Sequence, residues 1–283
     1  MKEILIEILK IVAPLSVALI VFSQGLGVAP AQVVAYFRQR PWLMLRALVA
    51  TLVLVPAAAL ALIVLLKPSP GLAIGLAILV ACPPAPLMLK AATKKGGGNA
   101  AFMASLHLSL AALAFLTVPA VLYLLSQVLG FSAEVDLGTL NWILAKTILL
   151  PVGVGLVVRG LFPAAADRIA PVLGKAGSIG IGIVALFALA ALYPALLNMD
   201  AWSYLTIVLV SATALAIGHW FGADEPSERT VVAVESGVRH PVPALTIGIA
   251  NFSKQDALPI LVPCILTFIV VAMVYMAWRG KTQ

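Results

Sequence analysis

Glu235, Arg239 and His240 stand among apolar neighbours and are followed at once by Pro241 and Pro243, so an acid, a guanidinium, an imidazole and two helix breakers fall within nine residues. Charge at such a place is chemically useful: a carboxylate can bind a cation or a proton, a guanidinium an anion, and an imidazole can exchange a proton near neutral pH. Glu235 and Arg239 are four residues apart, which on a continuous helix sets them on one face as an ion pair. The chain also places Lys90 beside Cys82-Pro83-Pro84-Ala85-Pro86, and His107 eight residues into the apolar run that begins near Ala100, about 12 Å deep at helical rise.

These residues sit in a chain that is 63% hydrophobic and 10% charged, with a mean hydropathy of +1.12. That composition excludes a soluble domain and describes an integral membrane protein. Apolar runs close to the roughly 20 residues that span a bilayer recur near 8–27, 43–66, 71–93, 100–127, 140–160, 171–193, 202–221, 229–251 and 257–278. The period-2 alternation of a membrane barrel is absent, so about nine transmembrane helices are expected, an all-α membrane protein in a single transmembrane domain spanning residues 1–283.

The net charge of +7 reads as topology rather than nucleic-acid binding. Arg38, Arg40, Arg46, Lys94, Lys95, Arg159, Arg168, Lys175, Arg279 and Lys281 fall in alternate breaks, which marks those breaks as cytoplasmic and the N-terminus as outside. Glu3 and Glu7 argue against reading the first run as a cleaved leader. Cys82 and Cys264, both at membrane depth, make no disulfide framework. No zinc spacing, Walker loop, Gly-x-Ser-x-Gly or paired acids occurs, and Gly96-Gly97-Gly98 follows no strand, so neither an enzyme nor a bound cofactor is expected.

Two runs are interrupted by Pro-x-Pro near their middles, at Pro84 and Pro86 and at Pro241 and Pro243. A single offset of 157 residues superposes the breaks, and each lies 13 residues before a polar break, at Asn99 and at Asp256. Successive prolines remove backbone donors and block preceding carbonyls, so both helices are expected to unwind. Unwound backbone at membrane depth must be buried in protein or line a cavity, and two matched breaks point to a shared site. Structural kinks, snorkelling of Lys90 toward Lys94 and a merely packed His107 are the plainer readings of the same residues. His219, beside Trp220, reads as interfacial.

Glu235-Ser236-Gly237-Val238-Arg239-His240 resembles the Glu-x-Gly-x-Gln-Asn of the bile acid:sodium symporter family. Cys82 to Lys90 aligns without gaps with that family's Cys-Cys-Pro-Gly-Gly-Thr-Ala-Ser-Asn, and Gly98-Asn99 with the pair that opens its next helix. The resemblance implies two inverted repeats, here 1–127 with one helix fewer and 140–278, forming a panel of spans one, five and six and a core of the rest, with substrate bound between them. It also implies two sodium sites, whose side chains become Leu89, Lys90, Met103, His107 and Glu235 in one, and Glu235, Arg239 and Thr51 in the other. Few hard oxygens remain, and two cationic side chains stand where cations would sit.

The expected function is a carrier of a small organic anion by alternating access, independent of sodium and either proton-coupled through Glu235 or His107 or a uniporter. A non-transporting anion sensor and a sodium-coupled symporter are the alternatives; flux into proteoliposomes separates the first and sodium replacement the second. The residues expected to serve substrate or coupling are Glu235, Arg239, His240, Lys90, His107, Thr51, Pro84, Pro86, Pro241 and Pro243.

Overall fold

A computed structural model of the chain describes every residue except 1, 86–88, 131–136, 223, 252–253 and 283. Its helices in chain order are α1 (Lys2–Gly27), α2 (Pro30–Gln39), α3 (Pro41–Val49), α4 (Val55–Leu66), α5 (Pro70–Ala81), α6 (Leu89–Lys94), α7 (Ala100–Leu129), α8 (Leu137–Leu144), α9 (Leu150–Leu161), α10 (Pro163–Asn198), α11 (Ala201–Phe221), α12 (Pro226–Gly237), α13 (Pro241–Asn251) and α14 (Lys254–Thr282). Five-residue π turns join α3 to α4 (Ala50–Leu54) and α8 to α9 (Ala145–Leu149). No strand occurs among the described residues, which contain one isolated bridge, Pro84 to Arg239.

Proline sets many of these boundaries. Pro30, Pro41, Pro70, Pro163, Pro226 and Pro241 each open a helix, where the missing N–H has no intrahelical acceptor to lose. Side chains close two further starts: Asn99 Oδ1 accepts from Phe102 N at 3.0 Å above α7, and Asp200 Oδ1 from Ser203 N at 2.9 Å above α11. The short α2 falls where the sequence predicted only a break between spans.

Five helical segments among the described residues are long and apolar enough to cross a membrane: Pro41–Leu66, Ala100–Leu129, Pro163–Phe187, Ala201–Phe221 and Pro259–Thr282. Between helices in lipid the driving force is close packing rather than escape from water, so small residues sit at the contacts. A Cβ on Gly155 of α9 would lie 2.6 Å from Phe22 O of α1, and one on Gly218 of α11 would lie 2.5 Å from Val232 O of α12. α1 packs along α9 and α10, while α11 packs against α4, α12 and α14, and α5 against α4, α7, α13 and α14. Val17, Val21, Val28, Leu108 and Val152, with Ala104 and Val242 against them, form an apolar seam between these two groups.

One end of the bundle gathers charge. Arg40, in the joint between α2 and α3, pairs with the buried Glu228 of α12. Arg46 reaches Phe221 O at 3.1 Å and Asp224 at 3.4 Å, and Arg279 donates to Pro226 O at 2.8 Å and Thr230 Oγ1 at 3.0 Å. The opposite end carries the left-handed Lys67 (φ 47°), the caps of Ser69 and Asp200, and Trp202 Nε1 donating to Leu66 O at 3.1 Å.

Candidate functional site at the crossing of two broken helices

The helix α5 ends at Ala81, just before Pro83 and Pro84, and α12 ends at Gly237, shortly before Pro241 opens α13. His240 precedes Pro241, a position that disfavours helical backbone, and Val238 is already extended (φ −119°, ψ 119°). The two unwound stretches meet antiparallel around Pro84 and Arg239: Ala85 N donates to Val238 O at 3.1 Å, and His240 N to Pro83 O at 2.8 Å. Pro83 has no N–H to return, so its pairing with His240 keeps one of two possible bonds. The backbone groups that the breaks release are thus paired largely with each other, as an apolar environment demands.

Arg239, 3% exposed, supplies part of what the prolines remove. Its Nη1 donates to Cys82 O at 3.2 Å and its Nη2 to Thr51 O at 3.4 Å, while its Nε has no partner. Thr51 lies in the first π turn, where Val55 N bonds back to Ala50 O, and Pro56, the next residue that could reach Thr51 O in that geometry, has no N–H. A π turn followed by proline therefore frees one carbonyl, and the broken α5 frees another. The Thr51 hydroxyl faces Ser236 Oγ at 2.9 Å.

Glu235 faces His107 rather than Arg239. Both its oxygens lie against His107 Nδ1, at 3.2 and 3.1 Å. The expected pairing of Glu235 with Arg239 across one helical face does not form, because α12 stops at Gly237 and the extended backbone turns Arg239 toward the two carbonyls. The α6 helix carries Lys90, but its side chain and Pro86 lie outside the described residues. His240, 2% exposed, accepts from Val242 N at 3.3 Å through Nδ1, capping the start of α13. That bond assigns the proton to Nε2, which is buried without a partner. Pro241 and Pro243 lie in the first turn of α13.

His107 also opens onto a cavity of about 260 Å³ between α1, α7 and α10, lined by Ser23, Gln24, Val28, Leu108 and Pro171 among others. A larger apolar cavity of about 690 Å³ lies on the other side of Leu108, against α2, α3 and α9. Thr51, Pro84, Glu235, Arg239 and His240 are therefore brought together behind a cavity whose wall is His107. Sequence reasoning did not single out Ser236, Pro56 or the carbonyl of Cys82. Pro56 was visible as a helix-interior proline five residues after Thr51, but carbonyl acceptors leave no trace in residue type.

No curated protein matches the chain. The profile of the Sodium Bile acid symporter family matches residues 14–197, which takes in the first broken helix and both walls of the cavity and ends before the second broken helix. With well over half its length matched, and with two broken helices that cross, the chain belongs to the Sodium Bile acid symporter family, a family of membrane transporters.

Proposed function

We propose that the protein carries a small organic anion across the membrane by alternating access, without sodium. In this reading nine spans cross the bilayer, with the N-terminus outside and the end bearing Arg46, Arg229 and Arg279 in the cytoplasm. α1, α8, α9 and α10 form the panel, the helices from α3 to α7 and from α11 to α14 form the core, and residues 1–127 and 140–278 are inverted repeats. The tight packing of α1 on α9 and α10, apart from the helices that carry the crossing, supports the division. Substrate occupies the seam beside His107.

The observation that carries the sodium-independent reading is the guanidinium of Arg239 on Cys82 O and Thr51 O. Carbonyls released by broken helices are hard oxygen ligands for a sodium ion, and here a tethered cation holds them. The remaining positions fit sodium poorly: Met103 is buried and offers only sulfur, Leu89 offers no donor, and Glu235 faces an imidazole. A cation fixed to the backbone cannot leave, so a sodium gradient has nothing to drive. Coupling then falls to protons at Glu235 and His107, whose contact joins the crossing to the cavity, or the carrier is a uniporter.

The anionic substrate is supported by the donors that converge here. Arg239 Nε and His240 Nε2 are buried N–H groups without acceptors among the described residues, and α13 presents its N-terminal end at the seam through Val242. Binding of organic anions to purified protein, with sodium replaced by potassium or choline, tests the reading. Binding unchanged by the replacement is expected; a saturable sodium requirement would overturn it.

A further inference from the structure

A third cavity, of about 440 Å³, lies between α11 and α14 at the charged end of the bundle, on the outer side of the Leu215 that packs against Gly237. Its floor is Ala212, Leu215 and Ala216, and its rim is aromatic. His219 Nδ1 and Tyr275 Oη are 2.8 Å apart, with ring centroids 5.8 Å from one another and that of Trp278 5.7 Å from His219. Trp220 and Trp278 stand 71% and 50% exposed, although each is large and apolar. Below them the same two helices show Val208, Leu209, Val270 and Val274 to the outside.

This is an apolar groove that opens where the chain meets the headgroup layer, since α11 and α14 both belong to spanning segments and end here. Ala212 and Ala216 leave open space between the two helices, and indole and phenol rings bound it at the depth they prefer. The charge at the mouth is positive. Arg229 and Arg279 are the cations nearest His219; Arg229 Nη2 also donates to Asp224 O at 3.2 Å, and Arg46 lies against the Asp224 carboxylate. Arg279, 7% exposed, donates three of its five N–H groups to Thr230, Pro226 and Thr282, and its guanidinium lies 5.7 Å from the Trp278 ring, which leaves two N–H groups on the groove's inner edge.

We propose that this groove binds an anionic diacyl phospholipid, one acyl chain lying between α11 and α14 and the headgroup phosphate held at the rim by Arg229 and Arg279. A zwitterionic lipid fills the channel equally well but gains little from the arginines, so the site selects headgroup charge. The location on the lipid-facing side of α11 and α14, away from the seam, makes the lipid a structural or regulatory ligand rather than cargo.

Native mass spectrometry of the purified protein in detergent, offered phosphatidylglycerol and phosphatidylcholine of the same chain length in equal amounts, tests this. Phosphatidylglycerol should be retained at least about fivefold over phosphatidylcholine, the advantage one well-placed arginine confers. Ala212→Trp, which fills an exposed part of the groove, should remove the retained lipid while leaving the thermal midpoint close to the parent value. Arg229→Gln should lower the headgroup preference by about fivefold and leave phosphatidylcholine retention unchanged. Equal retention of the two lipids, wild-type retention by Ala212→Trp, or displacement of the lipid by millimolar inorganic phosphate would each overturn the proposal.

Discussion

Glu235 sets both carboxylate oxygens against Nδ1 of His107, at 3.2 and 3.1 Å, with the two residues only 1% and 5% exposed. An acid buried so completely depends on that single imidazole, because no other side chain among the described residues bonds to it. His107→Leu should destabilise the protein by about 3 kcal/mol, the usual penalty for stranding one member of a buried pair. The double variant His107→Leu/Glu235→Gln should recover much of the loss. Unfolding in detergent, followed through a double-mutant cycle, checks both; additive losses would mean that the two side chains do not support each other.

Arg239→Gln leaves the carbonyls of Cys82 and Thr51 without a cation. The loss of two charge-assisted hydrogen bonds should lower stability by about 2 kcal/mol. Added sodium, but not choline, should then raise the thermal midpoint of the variant while leaving that of the parent unmoved. A sodium-independent midpoint in both proteins would show that the carbonyls alone make no cation site.

Pro56→Ala returns an N–H to the chain where Thr51 O now accepts from Arg239. The expected outcome is a weaker anion affinity, by about tenfold, from a guanidinium no longer held in place, with membrane insertion intact. Binding measured beside Pro84→Ala and Pro241→Ala, which should also weaken affinity by allowing helix to re-form across the breaks, gives the comparison.

Gly218→Ala places a methyl 2.5 Å from Val232 O and 2.6 Å from Ala233 Cα. Both obstacles are backbone, so α11 and α12 must separate. A destabilisation of about 3 kcal/mol is expected, readable as a drop in thermal midpoint; a neutral substitution would mean that the two helices pack less closely than described.

Asp200 accepts from the N–H of Ser203 at 2.9 Å and its hydroxyl at 2.6 Å, and these bonds hold its carboxyl below the ordinary value of 3.8. A carboxylate depressed in the folded state contributes stability above the unfolded value and loses it as pH falls through the folded one. Asp200→Ala should therefore lower the thermal midpoint at neutral pH, and the gap from the parent should narrow below about pH 3.8. A gap constant with pH would show that the cap acts through shape alone.

The membrane class, the two breaks and the loop at Asn99 were legible because they rest on composition and on residues with fixed backbone consequences, as Pro84, Pro241 and Gly98-Asn99 show. The partner of Glu235 was legible only in the family alignment, not in spacing. Spacing of four suggests a helical pair only while the helix lasts, and the signal that it ends lay in Pro241, which pushes His240 out of helical backbone and leaves Arg239 on an extended stretch. The destination of Arg239 was hidden more deeply, since its acceptors are main-chain oxygens and every residue type carries one. His107 was named from its depth and from the aligned ion site it shares with Glu235; that it touches Glu235 on one side and a cavity on the other depends on how α7 and α12 pack, a relation 128 residues apart in sequence.

The bonds from Ala85 to Val238 and from His240 to Pro83 fasten two separate stretches of chain at their weakest points. A hinge needs a loose place, and here each loose place is stitched to the other. Four half-helices joined through one knot must travel as a block, so any sliding of this part of the molecule past α1 and α10 carries the knot along intact. Bending is then left to the outer connections, such as the turn at Val28 and Ala29 that leads from α1 into α2, where no such stitch is found among the described residues.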